Sequence, residues 1–325
     1  MIIAQVGSFP LDIKNINGGI ESSVFGLVES LIKMDHMVYV FDTPRKDIVS
    51  NVIERINDAI IYRYCAGKNK NNYEIASQCE QIIIDIQRIK PDVCHIHGTG
   101  YLQKKLFKIL AKKGIKCIVT IHGLQNIEKK NELLQKKSLK SLLKYIFLSK
   151  SEFYIINNSK KIIVDTEYVK DEIFKYKKKK QIKYLPEIYV IPQGVNSIFY
   201  DIDNISKENN ILCVGAISKR KGQLLLIQSF VLVKEIVKDA KLIIAGYISD
   251  DEYYNQLKQV IRDCNFEDDV KVQLKILLKN YHHFINLLNY SYCIQRKNLK
   301  VLFCVKLWHQ VFQLYQQMLV VYRML

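Results

Sequence analysis

The sequence lacks the closely spaced cysteine pairs that mark metal sites and disulfide-rich domains. Its 325 residues include eight cysteines, which are scattered along the chain without a single C-x-x-C pair. Four of them lie in short apolar runs of the kind that form strands, which indicates buried thiols in a reducing compartment. A zinc-ribbon protein and a disulfide-stapled secreted domain are therefore excluded, and no metal or other cofactor is expected.

Long apolar runs are missing as well. No stretch approaches the ~18 residues that are needed to span a bilayer, and the first residues lack the basic start and the cleavage site of a secretory signal. We therefore expect a cytoplasmic protein whose membrane contact, if it has any, is peripheral and at the inner face of the membrane.

Acidic residues are few relative to basic ones. Asp and Glu total 32 against 49 Lys and Arg, which gives a net charge of +17. This balance favours anionic partners such as phosphates, nucleotides, nucleic acid or anionic membranes. Abundant Ile, Lys, Asn and Tyr are typical of an AT-rich coding sequence, which accounts for part of the charge. The lysine run at 177–180 fits a membrane contact and an exposed helix end equally well.

Short β-branched runs alternate with longer segments whose apolar residues recur about every 3.6 residues. In the first half, this pattern predicts strands at 2–6, 37–41, 93–96, 117–121 and 162–164, and helices at 22–32, 74–89 and 102–111. Beyond a connector near residue 195, it predicts strands at 211–214, 241–245 and 270–273, and helices at 222–236 and 251–263. The alternation predicts an α/β fold of two Rossmann-like domains, each with a parallel sheet covered by helices.

The second domain is incomplete in the sequence. Residues 280–325 are an unbroken mixture of apolar, basic and Gln residues without a proline, and a parallel domain needs more than three strands. We therefore divide the chain into a first Rossmann-like domain (1–195), the start of a second one (196–273) and an aberrant tail (274–325).

The first domain carries two kinds of candidate binding residue. Gly18 and Gly19 follow the first strand and open a helix, where backbone N–H groups can approach an anion, although a tight turn explains them equally well. His95 and His97 share one face of a strand, but a metal would need further ligands nearby. His122 ends the next strand, at the edge where open α/β sheets bind ligands.

A basic turn in the second domain is the best candidate for a phosphate site. A predicted strand ends at Gly215, a predicted helix begins at Gly222, and Lys219, Arg220 and Lys221 lie between them. Fixed cations and helix amides at one place can neutralise a leaving diphosphate without a metal. A solvated basic loop is the alternative.

Taken in order, six motifs resemble those of the retaining, nucleotide-sugar-dependent glycosyltransferases of family 4. They are G-G-I-E, H-I-H-G, T-I-H-G, V-I-P-Q-G-V-N-x-x-F, V-G-x-x-x-x-x-K-G and K-L-I-I-A-G. The resemblance covers residues 1–273 and implies the GT-B fold, in which an acceptor-side domain faces a nucleotide-sugar-binding domain. It also implies transfer of a sugar from a nucleoside diphosphate to an acceptor hydroxyl, with retention at the anomeric carbon.

The resemblance assigns roles to single residues. His122 is the expected catalytic residue, near the transferred sugar. The expected donor-binding residues are Gly18, Gly19, Gly215, Arg220 and Lys221. The family often has an arginine directly after the glycine of the V-G motif, whereas this chain has Ala216, so Arg220 is expected to supply that charge. The acceptor is expected to be a saccharide or a lipid-linked saccharide, and no nucleic acid is expected as a partner.

One part of the family pattern is absent. The family carries E-x-x-x-x-x-x-x-E followed by A-M-A-x-G-x-P-V and G-G, which bind ribose, sugar and phosphate. The residues from Cys304 onward can be back-translated into codons and read one nucleotide earlier. The translations that this shifted frame permits include C-E-A-M-A-S-G-I-P-V-I-S-T-N-V-G-G-I-P-D. At some positions the codons leave no choice, since Trp308 followed by His309 can give only Ala in the shifted frame. We therefore expect a frameshift between residues 270 and 292, a truncated domain and an impaired enzyme; a non-catalytic scaffold or an inactive gene product is the alternative.

Overall fold

The computed structural model describes residues 1–13, 16, 18–66, 72–136, 138–180, 186–194, 209–274 and 290–292. The chain divides into two compact units, Met1–Val195 and Asn196–Leu325. The side chains of the lysine run at 177–180 and the tail from residue 293 onward lie outside the described part of the chain.

The first unit is built around a sheet of eight strands in the described residues. In chain order the strands are β1 (Ile2–Gly7), β2 (Met37–Asp42), β3 (Val52–Ile56), β4 (Ala59–Arg63), β5 (Val93–His97), β6 (Cys117–Ile121), β7 (Lys161–Val164) and β8 (Glu187–Val190). The helices are α1 (Gly19–Lys33), α2 (Asn72–Ile89), α3 (Tyr101–Lys112), α4 (Gln125–Lys136), α5 (Leu139–Asn158) and α6 (Glu167–Lys180).

The strand order is β3-β4-β2-β1-β5-β6-β7-β8, and every neighbouring pair except β3–β4 is parallel. The expected parallel sheet is thus confirmed for the inner strands, but its β3 edge is antiparallel. Asn57 and Asp58 connect β3 to β4 with φ values of 45° and 66°, the left-handed conformation that tight two-residue hairpins require. This hairpin was not predicted, because β3 is largely exposed and carries charged residues.

Burial on both faces explains why the inner strands read as continuous apolar runs. Ala4 and Val6 of β1, Ile96 of β5, and Val119 and Ile121 of β6 are almost completely buried. They belong to one core that also contains apolar residues of α2, α3, α5 and α6. Parallel strands covered by helices on both sides have no water-facing side, so polar alternation disappears.

A buried arginine binds the loop after β1 through hydrogen bonds. The guanidinium of Arg63 is paired with Asp42 at 2.8 Å and with Glu54 at 2.6 Å. It also donates to the backbone carbonyls of Phe9 at 3.0 Å and Pro10 at 2.7 Å. Detachment of the loop would therefore remove the acceptors of two N–H groups of this buried guanidinium.

A second arginine extends this network to the first helix. Arg45 is paired with Asp42 at 3.0 Å and with Glu21 in the first turn of α1 at 2.9 Å. It also donates to the carbonyl of Phe9. The start of α1, where Gly18 and Gly19 lie, is thereby tied to the ends of β1 and β2.

The second unit has a parallel sheet of order β11-β10-β9-β12 in the described residues. Its elements are β9 (Asn210–Val214), α7 (Gln223–Ile236), β10 (Lys241–Ala245), α8 (Asp251–Asp263), β11 (Val270–Gln273) and β12 (Tyr290–Tyr292). The bounds of β10, α8 and β11 agree with the predicted ones. β12 lies within the predicted tail of residues 274–325, so the described sheet extends past the predicted boundary at residue 273.

We expect Arg63→Ala to destabilise the first unit strongly, because it leaves the buried carboxylate of Asp42 with one partner fewer and removes the guanidinium donor to the carbonyl of Pro10. Breaking a buried ion pair from one side costs about 3 to 5 kcal/mol. The free energy of unfolding in urea measures this loss. Arg55→Ala is the matched control, since Arg55 and its partner Asp58 are both exposed, and it should change stability by less than about 1 kcal/mol. Equal effects of the two substitutions would contradict the role assigned to Arg63.

Candidate functional site

Polar side chains from neighbouring strands meet at one edge of the first sheet. His95 and His97 lie on β5, and His122 directly follows β6. Gln5 lies on β1, and Asp165 directly follows β7. Because β1, β5, β6 and β7 are adjacent and parallel, their carboxyl ends share this edge, as a ligand site of an open α/β sheet requires.

Hydrogen-bond distances connect four of these groups, together with Gln193, in a row. Nε2 of His97 lies 2.8 Å from Oε1 of Gln5, and Nδ1 of His97 lies 3.2 Å from Nε2 of His122. On the other side, Nδ1 of His122 lies 3.3 Å from Oδ2 of Asp165. Nε2 of Gln193, which follows β8, is 3.1 Å from this Nδ1 and 2.8 Å from the same carboxylate oxygen. Both ring nitrogens of His122 are thus oriented by the protein.

The direction of these hydrogen bonds follows from the acceptor at Gln5. With that amide oriented as in the structure, Nε2 of His97 donates to it, and the neutral ring then accepts at Nδ1 from Nε2–H of His122. Nε2 of Gln193 lies within hydrogen-bond distance of both Nδ1 of His122 and Oδ2 of Asp165, so this amide connects the histidine with the carboxylate.

Two further imidazoles are kept neutral by burial. His95 stacks beside His97 with ring centroids 4.2 Å apart, and its Nε2 lies 2.6 Å from the hydroxyl of Thr120. Desolvation, with a smaller contribution from His122, lowers the pKa of His95 to about 4. Desolvation and the two neighbouring histidines lower the pKa of His97 well below its ordinary value. An imidazolium is therefore costly at either position.

This geometry places the histidines in a hydrogen-bonded cluster rather than in a metal cage. Among the residues that the structure describes, no group of three or more His, Cys, Asp or Glu side chains is arranged to hold a metal ion. Gln5, Asp165 and Gln193 were missed by the sequence analysis. The signal that could have found them is their position, since each lies in or directly after a strand of the sheet.

Among the residues that the structure describes, no side chain caps the start of α1 by a hydrogen bond. Gly18 is the N-cap residue, and it supplies no side-chain hydrogen bond to the helix. A Cβ atom added to Gly19 would meet nothing within 4 Å, so packing does not require glycine there. The free space beside bare N–H groups suits an anionic ligand. The nearby carboxylate of Glu21 is neutralised by its ion pair with Arg45.

The second unit holds the basic turn between β9 and α7. A short 3₁₀ turn, Lys219–Lys221, leads to Gly222, which is the N-cap of α7 and has a φ of 72°. The side chain of Lys221 runs along Gly215, with Cε 3.5 Å from the place where a Cβ of Gly215 would be. A Cβ on Gly246 would lie 2.0 Å from the carbonyl oxygen of Gly215. Only glycine at position 246 therefore permits this turn.

A buried glutamine stabilises the turn through hydrogen bonds to its backbone. Gln223 is fully buried, its Nε2 donates to the carbonyl of Ala216 at 3.0 Å, and its Oε1 lies 3.4 Å from the backbone nitrogen of Ser218. Arg220 is exposed, whereas Lys221 is only partly exposed. The structure thus brings Lys221 together with Gly215, and it leaves Arg220 at the surface of the turn.

A parallel α/β unit with polar groups at its strand ends, followed by a second unit with a basic turn before a helix, defines a glycosyltransferase of GT-B type. A family model described as Glycosyltransferase Family 4 matches residues 17–197, more than half of the chain. The chain therefore belongs to glycosyltransferase family 4. A second model, Glycosyl transferases group 1, matches residues 197–291.

Individual proteins agree with this assignment. An uncharacterized glycosyltransferase of Methanocaldococcus jannaschii is 27% identical over 211 residues, which are 61% of this chain and 49% of that protein. The chain thus spans about half the length of this curated relative. Sucrose-phosphate synthase of Thermosynechococcus elongatus has a TM-score of 0.65 at 15% identity, covering 90% of this chain and 75% of that one. A Rickettsia africae glycosyltransferase has a TM-score of 0.59 at 17% identity, covering 90% and 73%.

The buried histidines predict that stability falls in mild acid. Below a pH of about 6.5, the imidazoles become protonated in the unfolded chain, whereas His95 and His97 stay neutral in the folded protein. The free energy of unfolding therefore decreases as the pH falls, by about 1.4 kcal/mol per pH unit for each histidine. Urea unfolding between pH 7 and pH 5 measures the combined slope of the two histidines, which should approach about 2.7 kcal/mol per pH unit at the acidic end of this range.

The matched variants are His95→Gln and Thr120→Val. The first removes one titrating ring and should flatten the slope, whereas the second removes its hydroxyl partner but keeps both rings and should preserve the slope. An unchanged slope in His95→Gln would contradict the assignment of a neutral buried ring.

Proposed function

We propose that this chain is a retaining glycosyltransferase that moves a sugar from a nucleoside diphosphate to an acceptor hydroxyl, and that its turnover is impaired in the form given by this sequence. The observation that carries the proposal is the turn from Gly215 to Gly222, where a lysine and a helix N-terminus come together. The proposed acceptor is a saccharide or a lipid-linked saccharide.

The turn suits a diphosphate for electrostatic reasons. Backbone N–H groups at the start of α7 carry the positive end of the helix dipole, and Lys221 adds a full charge next to the glycine. When the bond from the anomeric carbon to the diphosphate oxygen breaks, its electron pair leaves with the diphosphate, and the growing negative charge is stabilised by these groups. Arg220 at the exposed side of the turn adds longer-range attraction.

The first unit offers a polar group for the sugar. We propose His122 as the residue that contacts the transferred sugar, since it lies at a strand end and is held in one orientation by Asp165, Gln193 and His97. Gly18 and Gly19 are proposed to contact donor phosphate at the open start of α1. Retention then requires that the acceptor oxygen attack from the face that the diphosphate leaves, through an oxocarbenium-like ion pair, with its proton passing to a departing phosphate oxygen.

A structural neighbour supports the choice of donor. A trehalose-6-phosphate protein from E. coli, with a TM-score of 0.62 at 9% identity over 90% of this chain and 78% of that one, was solved with UDP-2-fluoro glucose bound. For this chain, a nucleoside diphosphate sugar is accordingly the proposed donor, bound without a metal.

The proposed impairment rests on the missing carboxylate segment. Ribose hydroxyls that are buried without hydrogen-bond partners cost about 1 to 3 kcal/mol each. The family match reaches residue 291 and β12 ends at Tyr292, which favours the late end of the interval proposed for the frameshift. A chain whose reading frame is corrected by one nucleotide after this point would regain the segment.

Lys221→Ala should lower the turnover of the frame-corrected chain by more than roughly tenfold, because it removes the charge that faces the leaving diphosphate. Release of nucleoside diphosphate from the donor measures the rate. The matched control is Lys219→Ala, which removes an exposed lysine from the same turn and should change the rate by less than about twofold. Equal losses in both variants would remove Lys221 from the proposed site.

The chain as given should turn over donor sugar at least roughly a hundredfold more slowly than its frame-corrected version, since several ribose and sugar contacts of the order considered above are missing. Both proteins are purified in the same way and compared in solubility and in donor hydrolysis. Equal activity would show that the tail is in frame or that the carboxylate segment is dispensable.

A further inference from the structure

The first half of α5 presents an apolar face to solvent. Five large apolar side chains of this helix are exposed, at positions that recur every three to four residues: Leu139, Leu142, Leu143, Ile146 and Phe147. Leu139 is 72% exposed and Phe147 61% exposed. Residues with this spacing form one continuous stripe along a helix. We call these five residues the α5 face.

The rest of α5 behaves as an ordinary packed helix. Ser141 in its first turn and Ser151, Glu152, Ile155 and Ile156 in its second half are buried. The α5 face lies on the side of the helix opposite to Ser141, and α4 packs beside the helix with Leu134 also exposed. A contiguous exposed apolar patch rather than scattered single residues marks an interaction surface.

The charges in the sequence around the α5 face are mostly positive. Residues 139–151 contain Lys140, Lys144 and Lys150, all exposed, and no acidic residue. Over residues 129–150 the sequence has seven lysines and a single glutamate, Glu132. An apolar stripe bordered by lysines complements a surface that is apolar below and anionic above, which is the surface of an anionic bilayer.

The structure also fixes α5 to the candidate site. The buried carboxylate of Glu152 accepts from the backbone N–H groups of Gln125 at 2.6 Å and Asn126 at 3.3 Å. These residues begin α4, three positions after His122. The carboxylate of Glu152 therefore links α5 to the start of α4, which is close to His122 in the chain.

We propose that the α5 face docks the protein on an anionic membrane surface, with the five apolar side chains inserted at the headgroup boundary and the three lysines beside the lipid phosphates. No helix in the described part of the chain is long and apolar enough to cross a bilayer, and this docking needs none. The inference does not depend on sugar transfer, because it requires neither donor nor acceptor.

The test measures binding of the full chain to sedimented vesicles made of equal parts phosphatidylglycerol and phosphatidylcholine, and to vesicles of phosphatidylcholine alone. Wild-type protein should bind the anionic vesicles at least roughly tenfold more tightly, and high salt should weaken this binding. The double variant Leu139→Ser with Phe147→Ser should lose roughly tenfold or more in affinity.

A matched control replaces two exposed apolar side chains that lie outside the α5 face. Met34→Ser with Ile53→Ser removes side chains that are 64% and 61% exposed on other elements of the same unit, and it should bind as wild type does. Lys140→Gln with Lys144→Gln should reduce the preference for anionic vesicles by roughly twenty-five-fold, since each lysine near the surface is worth about fivefold.

Four results would overturn the inference. One is a lack of vesicle binding by the wild-type chain, and another is equal binding by the Leu139→Ser, Phe147→Ser variant. The third is self-association that depends on the α5 face, measured by sedimentation velocity, together with a lack of vesicle binding. That result would assign the face to a second copy of the chain. Binding that survives the α5 substitutions but is lost when lysines 177–180 are replaced would likewise move the membrane contact to α6.

Discussion

Parallel hydrogen bonding between β1, β5, β6 and β7 is the constraint on which the candidate site of the first unit depends. Val6 is paired with Ile96, and His97 with Thr120, so the strand ends reach one edge together. A slip of one residue would turn His97 to the opposite face of the sheet. The buried apolar residues that hold this register therefore also hold the distances between the imidazoles.

The sequence predicts those strands well and the elements around them less well. An apolar run such as β10 predicts a strand with almost no competing secondary structure, because its residues fit a sheet that is buried on both faces. The β3–β4 hairpin escaped prediction because Arg55 and Glu54 interrupt the apolar pattern, and the chain reversal depends on two residues with positive φ. The helix α5 escaped it because apolar residues on its exposed side weaken the periodicity that identifies a helix.

The candidate site shows the same division between local and distant information. His122 was predictable, because a histidine that ends a buried strand is a local feature. Asp165 and Gln193 were not, because they lie 43 and 71 residues from His122 in the chain, and only the strand order brings them together. The cost of burying His95 and His97 as cations is likewise a property of the folded surroundings rather than of the sequence.

In the second unit, the phosphate turn is separable from the missing carboxylate segment. The contacts that shape the turn come from Gln223 and Gly246, both well before β12, so an altered reading frame after that strand leaves them intact. Amides at a helix start and one lysine suffice to attract a diphosphate, whereas fixing the sugar for reaction needs partners for its hydroxyls. Under the proposed function, attraction for the anion and turnover of the donor are therefore distinct properties, and loss of the second does not require loss of the first.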